Sequence, residues 1–156
     1  MRRVFTIATA LLVASGCGGD KNTPTTPSAP KQASITVTVS PNPVTVSTCS
    51  PMCMGTNGNS YQFQVRGALT IQETAGVAGT IDSIVSGSLN YVAADVAQRS
   101  GTSHVAASGS LVFPLNFVFG AADNPNANRS VVFPVTVSFT DDRGNHLTGV
   151  TQWVAN

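Results

Sequence analysis

At 156 residues, with 42% apolar and only 10% charged side chains, the chain suits one domain with a substantial core and is neither a polyelectrolyte nor a membrane bundle. Of its eight basic side chains, Arg2 and Arg3 lie in a removable leader, which leaves six against seven acidic ones. So neutral a surface offers no stripe that could track phosphate, which argues against a nucleic-acid partner and leaves acidic lipid headgroups without an electrostatic hold.

The chain opens on that basic pair, an apolar stretch from Val4 to Val13, and the small residues Ala14-Ser15-Gly16 ahead of Cys17. This is the grammar of a cleaved signal peptide over residues 1–16. The stretch falls short of the ~20 residues a spanning helix needs, so it reads as a leader and not a permanent anchor. Leu12-Val13-Ala14-Ser15-Gly16-Cys17 resembles the lipobox of bacterial lipoproteins, with Ala14 where that family prefers Leu. The resemblance implies that Cys17 becomes the lipidated N-terminus and that the membrane is held through its acyl chains, at about 0.8 kcal/mol per buried methylene. Gly18, in place of Asp, resembles the pattern that sorts lipoproteins to the outer membrane, which implies a lipid-anchored place in the cell envelope on its periplasmic or surface face. Arg2-Arg3-Val4-Phe5 also looks like part of a twin-arginine export motif, which an ordinary basic n-region explains more simply.

Residues 17–32 supply the lipidated cysteine and a Pro/Thr-rich tether. Thr23-Pro24-Thr25-Thr26-Pro27-Ser28-Ala29-Pro30 has no apolar period, and an extended chain of this kind spans roughly 30 to 45 Å. A domain is expected over residues 33–156.

From Ile35 onward apolar residues recur at every second position between Gly, Pro, Asn and Asp breaks, which predicts strands. Ile35, Val37 and Val39 form a first strand that Pro41-Asn42-Pro43 kinks before Val44-Thr45-Val46. Cys49-Ser50-Pro51-Met52-Cys53-Met54 follows as a loop. In an oxidising envelope Cys49 and Cys53 are expected to form a disulfide around Pro51. The competing reading takes Cys49, Met52, Cys53 and Met54 as soft ligands for monovalent copper, which requires the thiols to be reduced.

Tyr61, Phe63, Val65, Leu69 and Ile71 share one face of a long second strand, and Gln62, Gln64, Arg66, Thr70 and Gln72 the other. Residues 80–92 read as a third segment with Val85, Leu89 and Tyr91 inward and Ser86, Ser88 and Asn90 outward. Residues 92–99 have helical composition but, being short, read as a loop with a helical turn. Leu111, Phe113, Leu115, Phe117 and Phe119 alternate without a gap, as do Val131, Phe133, Val135, Val137 and Phe139, and these ten are expected to centre the core. Pro114 and Pro134 each remove a ladder donor, so each belongs at an edge, a start or a bulge. Asp141-Asp142-Arg143-Gly144-Asn145 turns the chain, with Gly144 at positive φ, into a last strand holding Leu147, Val150 and Trp153.

About seven strands with frequent turns give an all-β, two-sheet sandwich. With Ser34-Ile35-Thr36-Val37-Thr38-Val39-Ser40-Pro41-Asn42-Pro43 as its opening strand, the pattern resembles bacterial immunoglobulin-like domains of surface proteins and lipoproteins, a resemblance that implies a fold more than a function.

Catalytic residue types are scarce: His104 and His146 are the histidines and Glu73 the one glutamate. Ser103 and His104 are adjacent, and adjacent strand residues face opposite ways, so they make a poor nucleophile and base. Asp141, Asp142 and Asn145, like Asp123-Asn124-Pro125-Asn126, fit turn chemistry better than calcium. Asn128-Arg129-Ser130 matches a glycosylation acceptor, which the resemblance of the leader to a bacterial signal reads as coincidence. Tyr61, Tyr91 and Trp153 share parity with the core and read as structural. The expectation is a non-enzymatic envelope lipoprotein without a cofactor, displaying its domain to a protein or glycan partner, or for structural work. The alternatives are copper handling at the cysteine loop and a carbohydrate-binding module, the latter requiring an exposed coplanar aromatic pair.

Overall fold

The computed structural model describes residues 31–55, 57–120 and 130–156. The expectations for residues 1–16, Cys17, the tether through residue 30, the turn at 123–126 and the acceptor pattern beginning at Asn128 lie outside the described residues.

Two antiparallel sheets pack face to face. The first is built on β3 (Ser60–Glu73), with β1 (Ile35–Ser40) and β2 (Ser47–Met54) in succession along one side and β7 (Ser110–Phe119) along the other. The second runs β5 (Leu89–Val92), β4 (Gly79–Ser86), β8 (Val131–Asp141) and β9 (His146–Ala155), with the short β6 (His104–Val105) also on β4. Nine strands are present among the described residues. The additions to the expected set are β2, β6 and the division of residues 80–92 into two strands.

The alternation read in the sequence becomes the interior. Leu111, Phe113, Leu115, Phe117 and Phe119 are all buried, as are Val135, Val137 and Phe139, while Val131 and Phe133 are half-buried. They meet Val65, Leu69 and Ile71 of β3, Ile81 and Ile84 of β4, and Trp153 of β9. The burial of such large side chains, worth roughly 1.5 to 3 kcal/mol each, is what holds the two sheets together. Trp153 is wholly buried and its indole N–H donates to the Pro41 carbonyl at 2.7 Å, which fixes the kink in the first strand. Beyond that kink Val44 leaves the first sheet and bridges Ala155 of the second. The Asn42 side chain also spans the gap, donating to Gln152 O at 2.9 Å and accepting from Val154 N at 3.0 Å. The split first strand therefore closes the free edge of β9.

Both prolines sit where a missing donor is tolerated. Pro114 lies on β7, whose ladder partner is β3, at a sheet edge. Pro134 lies on β8 just beyond Val135, where the β4 ladder ends.

Three local expectations are corrected. Cys49 to Met54 is part of strand β2 and not a loop, because its two ends pair with β3 on either side of a bulge. Residues 93–100 form a helix, α1 (Ala93–Ser100), longer than a single turn. Asp95 accepts the Val92 N–H at 3.2 Å, buried Val96 docks the helix, and Gly101 at φ 81° ends it; this tertiary contact offsets the weak propensity of so short a helix. In β4 the faces are reversed: Ser86 is buried and Val85 exposed. Ile84 pairs with Tyr91 and Ser86 with Leu89 across the Gly87-Ser88 turn, so even-numbered residues of β4 share a face with odd-numbered residues of β5.

Candidate functional site

The strands run between two poles, and the polar features divide between them. At one pole lie Ala33, the end of β3, the start of β4 and the turn after β8. At the other lie the start of β3, the β4–β5 turn and the start of β8. Tyr61 near the start of β3 and Glu73 at its end are separated by roughly 40 Å at about 3.3 Å per residue.

At this first pole two carboxylates are buried, and neither has a cationic partner among the described residues. Glu73 accepts from the backbone N–H groups of Ala75, Gly76 and Ser108, each at 2.8 Å, and of Ser34 at 3.2 Å. Burial alone would raise its pKa, but these four donors outweigh that and hold it near 2, against an ordinary 4.5. Asp141 accepts from Ala33 N at 3.2 Å, Arg143 N at 3.0 Å, Asn145 N at 2.8 Å and the Asn145 amide at 2.9 Å. Burial again pushes upward and the Asn145, Ala33 and Arg143 donors win, leaving its carboxyl at about 2 against 3.8. Asp141 and Asn145 thus build the turn expected of them, with Gly144 at φ 85°. Arg143 reaches back to the Lys31 carbonyl. Ala33 and Ser34 are therefore gripped by one carboxylate each.

At the far pole the two sheets part around a cleft of about 500 Å³. Phe117, Phe119 and Phe133 line it from β7 and β8, Tyr61 and Tyr91 from β3 and β5, and Arg99 of α1 lies at its exposed rim. The Phe117 and Phe133 rings stack at 5.0 Å with 14° between planes. Asn57 donates to the Tyr61 hydroxyl at 2.8 Å, and the Arg99 guanidinium lies 4.7 Å from the Tyr91 ring centre. Ser86 also lines the cleft, and its buried hydroxyl finds no partner among the described residues. Its inward position follows from the phase of the β4–β5 turn, a feature the period-2 reading across residues 80–92 could not show.

The other candidates lie apart from both poles or at their margins. Cys49 and Cys53 form a disulfide with a Cα–Cα distance of 5.4 Å, which closes the bulge where β2 opposes four residues to one of β3. Met52 and Met54 are exposed, and the Met54 sulfur accepts the Ser60 hydroxyl at 3.4 Å. Among the described residues no three or more His, Cys, Asp or Glu side chains gather as a metal site would require. The peptide N–H of His104 donates to the Thr102 hydroxyl at 2.9 Å, and Ser103 is occupied through its carbonyl, which accepts Ile81 N at 2.9 Å. Asp82, Thr140 and His146, which the sequence did not single out together, meet on the outer face of the second sheet. Thr140 donates to Asp82 at 2.6 Å and lies 2.8 Å from His146 Nδ1. With its one proton directed at the carboxylate, the hydroxyl is left to accept from the imidazole, which suits a cross-strand polar tie. No helix among the described residues is long and apolar enough to cross a membrane. Comparison with protein-family models, with curated proteins and with solved structures finds no match to this chain.

Proposed function

We propose that this protein is a non-enzymatic lipoprotein of the cell envelope, lipidated at Cys17 and held by the tether of residues 17–32, whose immunoglobulin-like sandwich is displayed for binding. One observation carries the reading. The residues that follow the tether, Ala33 and Ser34, are gripped by Asp141 and Glu73 at one pole, while the aromatic cleft opens at the other. A membrane tied to the first pole leaves the second turned outward. The copper alternative gains nothing from Cys49 and Cys53, since an oxidised pair supplies no thiolate. The carbohydrate alternative calls for aromatic faces side by side in solvent, whereas Phe117 and Phe133 stack on one another.

Fractionation of cells making the full chain tests the anchoring. The wild-type protein is expected to sediment with membranes and to be released by detergent, and Cys17→Ser to appear in the soluble fraction. A Cys17→Ser chain that still sediments with membranes, or a wild-type chain already soluble, defeats the reading.

A further inference from the structure

The cleft at the far pole has the composition of a small-molecule site. Its volume of about 500 Å³ falls within the roughly 300 to 1,000 Å³ typical of ligand pockets. Apolar ring surface supplies the walls, through Phe117, Phe119 and Phe133. Two polar features keep unused hydrogen-bonding capacity among the described residues. The first is the Ser86 hydroxyl, 2% exposed and without a hydrogen-bond partner among those residues. A buried hydroxyl left this way costs about 1 to 3 kcal/mol relative to a bonded one, so a structural role would favour an apolar residue on this inward face. The second is Arg99, whose guanidinium rests on the Tyr91 ring at 4.7 Å. Stacking of this kind orients the planar fork while leaving its N–H edge free to donate, which is the arrangement that recognises a carboxylate. Asp95, one turn earlier on α1, is engaged with the Val92 N–H at 3.2 Å.

We infer that this cleft binds a flat aromatic carboxylate, its ring against the phenylalanine side chains of the walls, its carboxylate on Arg99, and a polar substituent or carboxylate oxygen satisfying Ser86. The inference rests on the display reading above and names the ligand class that the displayed pole takes.

The test is calorimetric titration of 2-naphthoate into the full chain carrying Cys17→Ser, in which no detergent competes for the probe. Saturable binding is expected with a Kd below about 1 mM. Arg99→Gln changes an exposed helix position, so it leaves the core intact; it is expected to weaken binding roughly tenfold or more. Ser86→Ala is expected to weaken binding about two- to fivefold without lowering the melting temperature, because no protein hydrogen bond is lost. The neutral analogue 2-naphthalenemethanol is expected to bind at least about tenfold more weakly than the carboxylate. Absence of saturable binding at millimolar probe overturns the inference, as does equal affinity for the acid and the alcohol or an Arg99→Gln protein that binds as wild type does. A failed titration beside clean release of Cys17→Ser from membranes removes the ligand and keeps the anchoring. Persistent sedimentation beside a successful titration removes the anchoring and keeps the ligand.

Discussion

The four N–H groups around Glu73 come from Ser34, Ala75, Gly76 and Ser108, so one side chain joins the lead-in to β1, the turn after β3 and the approach to β7. Glu73→Gln presents an amide NH2 to donors already in place and leaves at least one of them unsatisfied. Urea denaturation should show a loss of about 2 to 3 kcal/mol; a midpoint equal to wild type would remove the organising role given to this carboxylate. Acid should act on the same groups. Glu73 and Asp141 are each held at about 2, below ordinary values of 4.5 and 3.8. Between these values the unfolded chain binds more protons than the folded one. The stability these carboxylates contribute is therefore complete above about pH 4.5 and lost as pH falls toward 2. Melting temperatures measured from pH 7 to 2.5 should hold level and then drop, with a shallower drop in Glu73→Gln; equal acid slopes would contradict the assignment. Asp141 could be read beforehand because its partners Arg143 and Asn145 lie within one turn of chain. Glu73 could not, since two of its donors, Ser34 and Ser108, are far away in sequence and no residue pattern announces a backbone N–H.

At the scale of elements, strict alternation was readable wherever a strand stays in phase, as in β7, where every odd-numbered residue from Leu111 to Phe119 is buried. It failed where the phase changes. The register of β4 slips between Ile81 and Ser83, so Ile81 and Ile84 both face inward despite opposite parity. The two-residue turn at Gly87-Ser88 then inverts parity again, which put Val85 and Ser86 on the wrong faces and hid a polar residue of the cleft. A close approach of backbone was equally hidden at Gly67: a Cβ there would lie 2.6 Å from Trp153 Cζ2 and 2.8 Å from the Ser40 carbonyl oxygen. Gly67→Ala should force Trp153 off its hydrogen bond to Pro41 and cost about 1 to 3 kcal/mol, read from the urea midpoint together with a shift in Trp153 fluorescence. An unshifted spectrum and an unchanged midpoint would mean that the contact relaxes freely. The cysteine pair was legible from spacing, but its setting on a strand was not, because a bulge of four residues does not alternate. The Cys49–Cys53 link closes a bulge of few residues in an edge strand, so Cys49→Ser combined with Cys53→Ser should cost no more than about 2 kcal/mol and preserve the far-ultraviolet dichroism. Loss of the β spectrum in that double variant would show that β2 depends on the crosslink.

Across the whole molecule, the lead-in to β1 is fastened at one pole and the cleft opens at the other. Strand β1 begins at Ile35, yet the residues fastened to the sandwich interior begin two positions earlier, with Ala33 itself buried and its N–H on Asp141. Ser34 is held three times, donating to Glu73 and accepting at its carbonyl from the Thr74 N–H at 2.8 Å and the Thr74 hydroxyl at 3.2 Å. A chain that starts at Gln32 keeps all of these bonds. One that starts at Ile35 leaves both carboxylates short of a donor and takes away the carbonyl that Thr74 uses. Thermal melts should place the Gln32 start at the temperature of the longer chain and the Ile35 start roughly 5 °C or more below it. Because the missing residues lie some 40 Å from the cleft along β3, affinity for 2-naphthoate should be equal in both truncations wherever both are folded. Equal melting temperatures would mean that the sandwich is secured from β1 onward and that the buried carboxylates serve only their own turns. An affinity that fell with the Ile35 start would mean that the two poles are energetically coupled, and the cleft would then respond to how Ala33 and Ser34 are held.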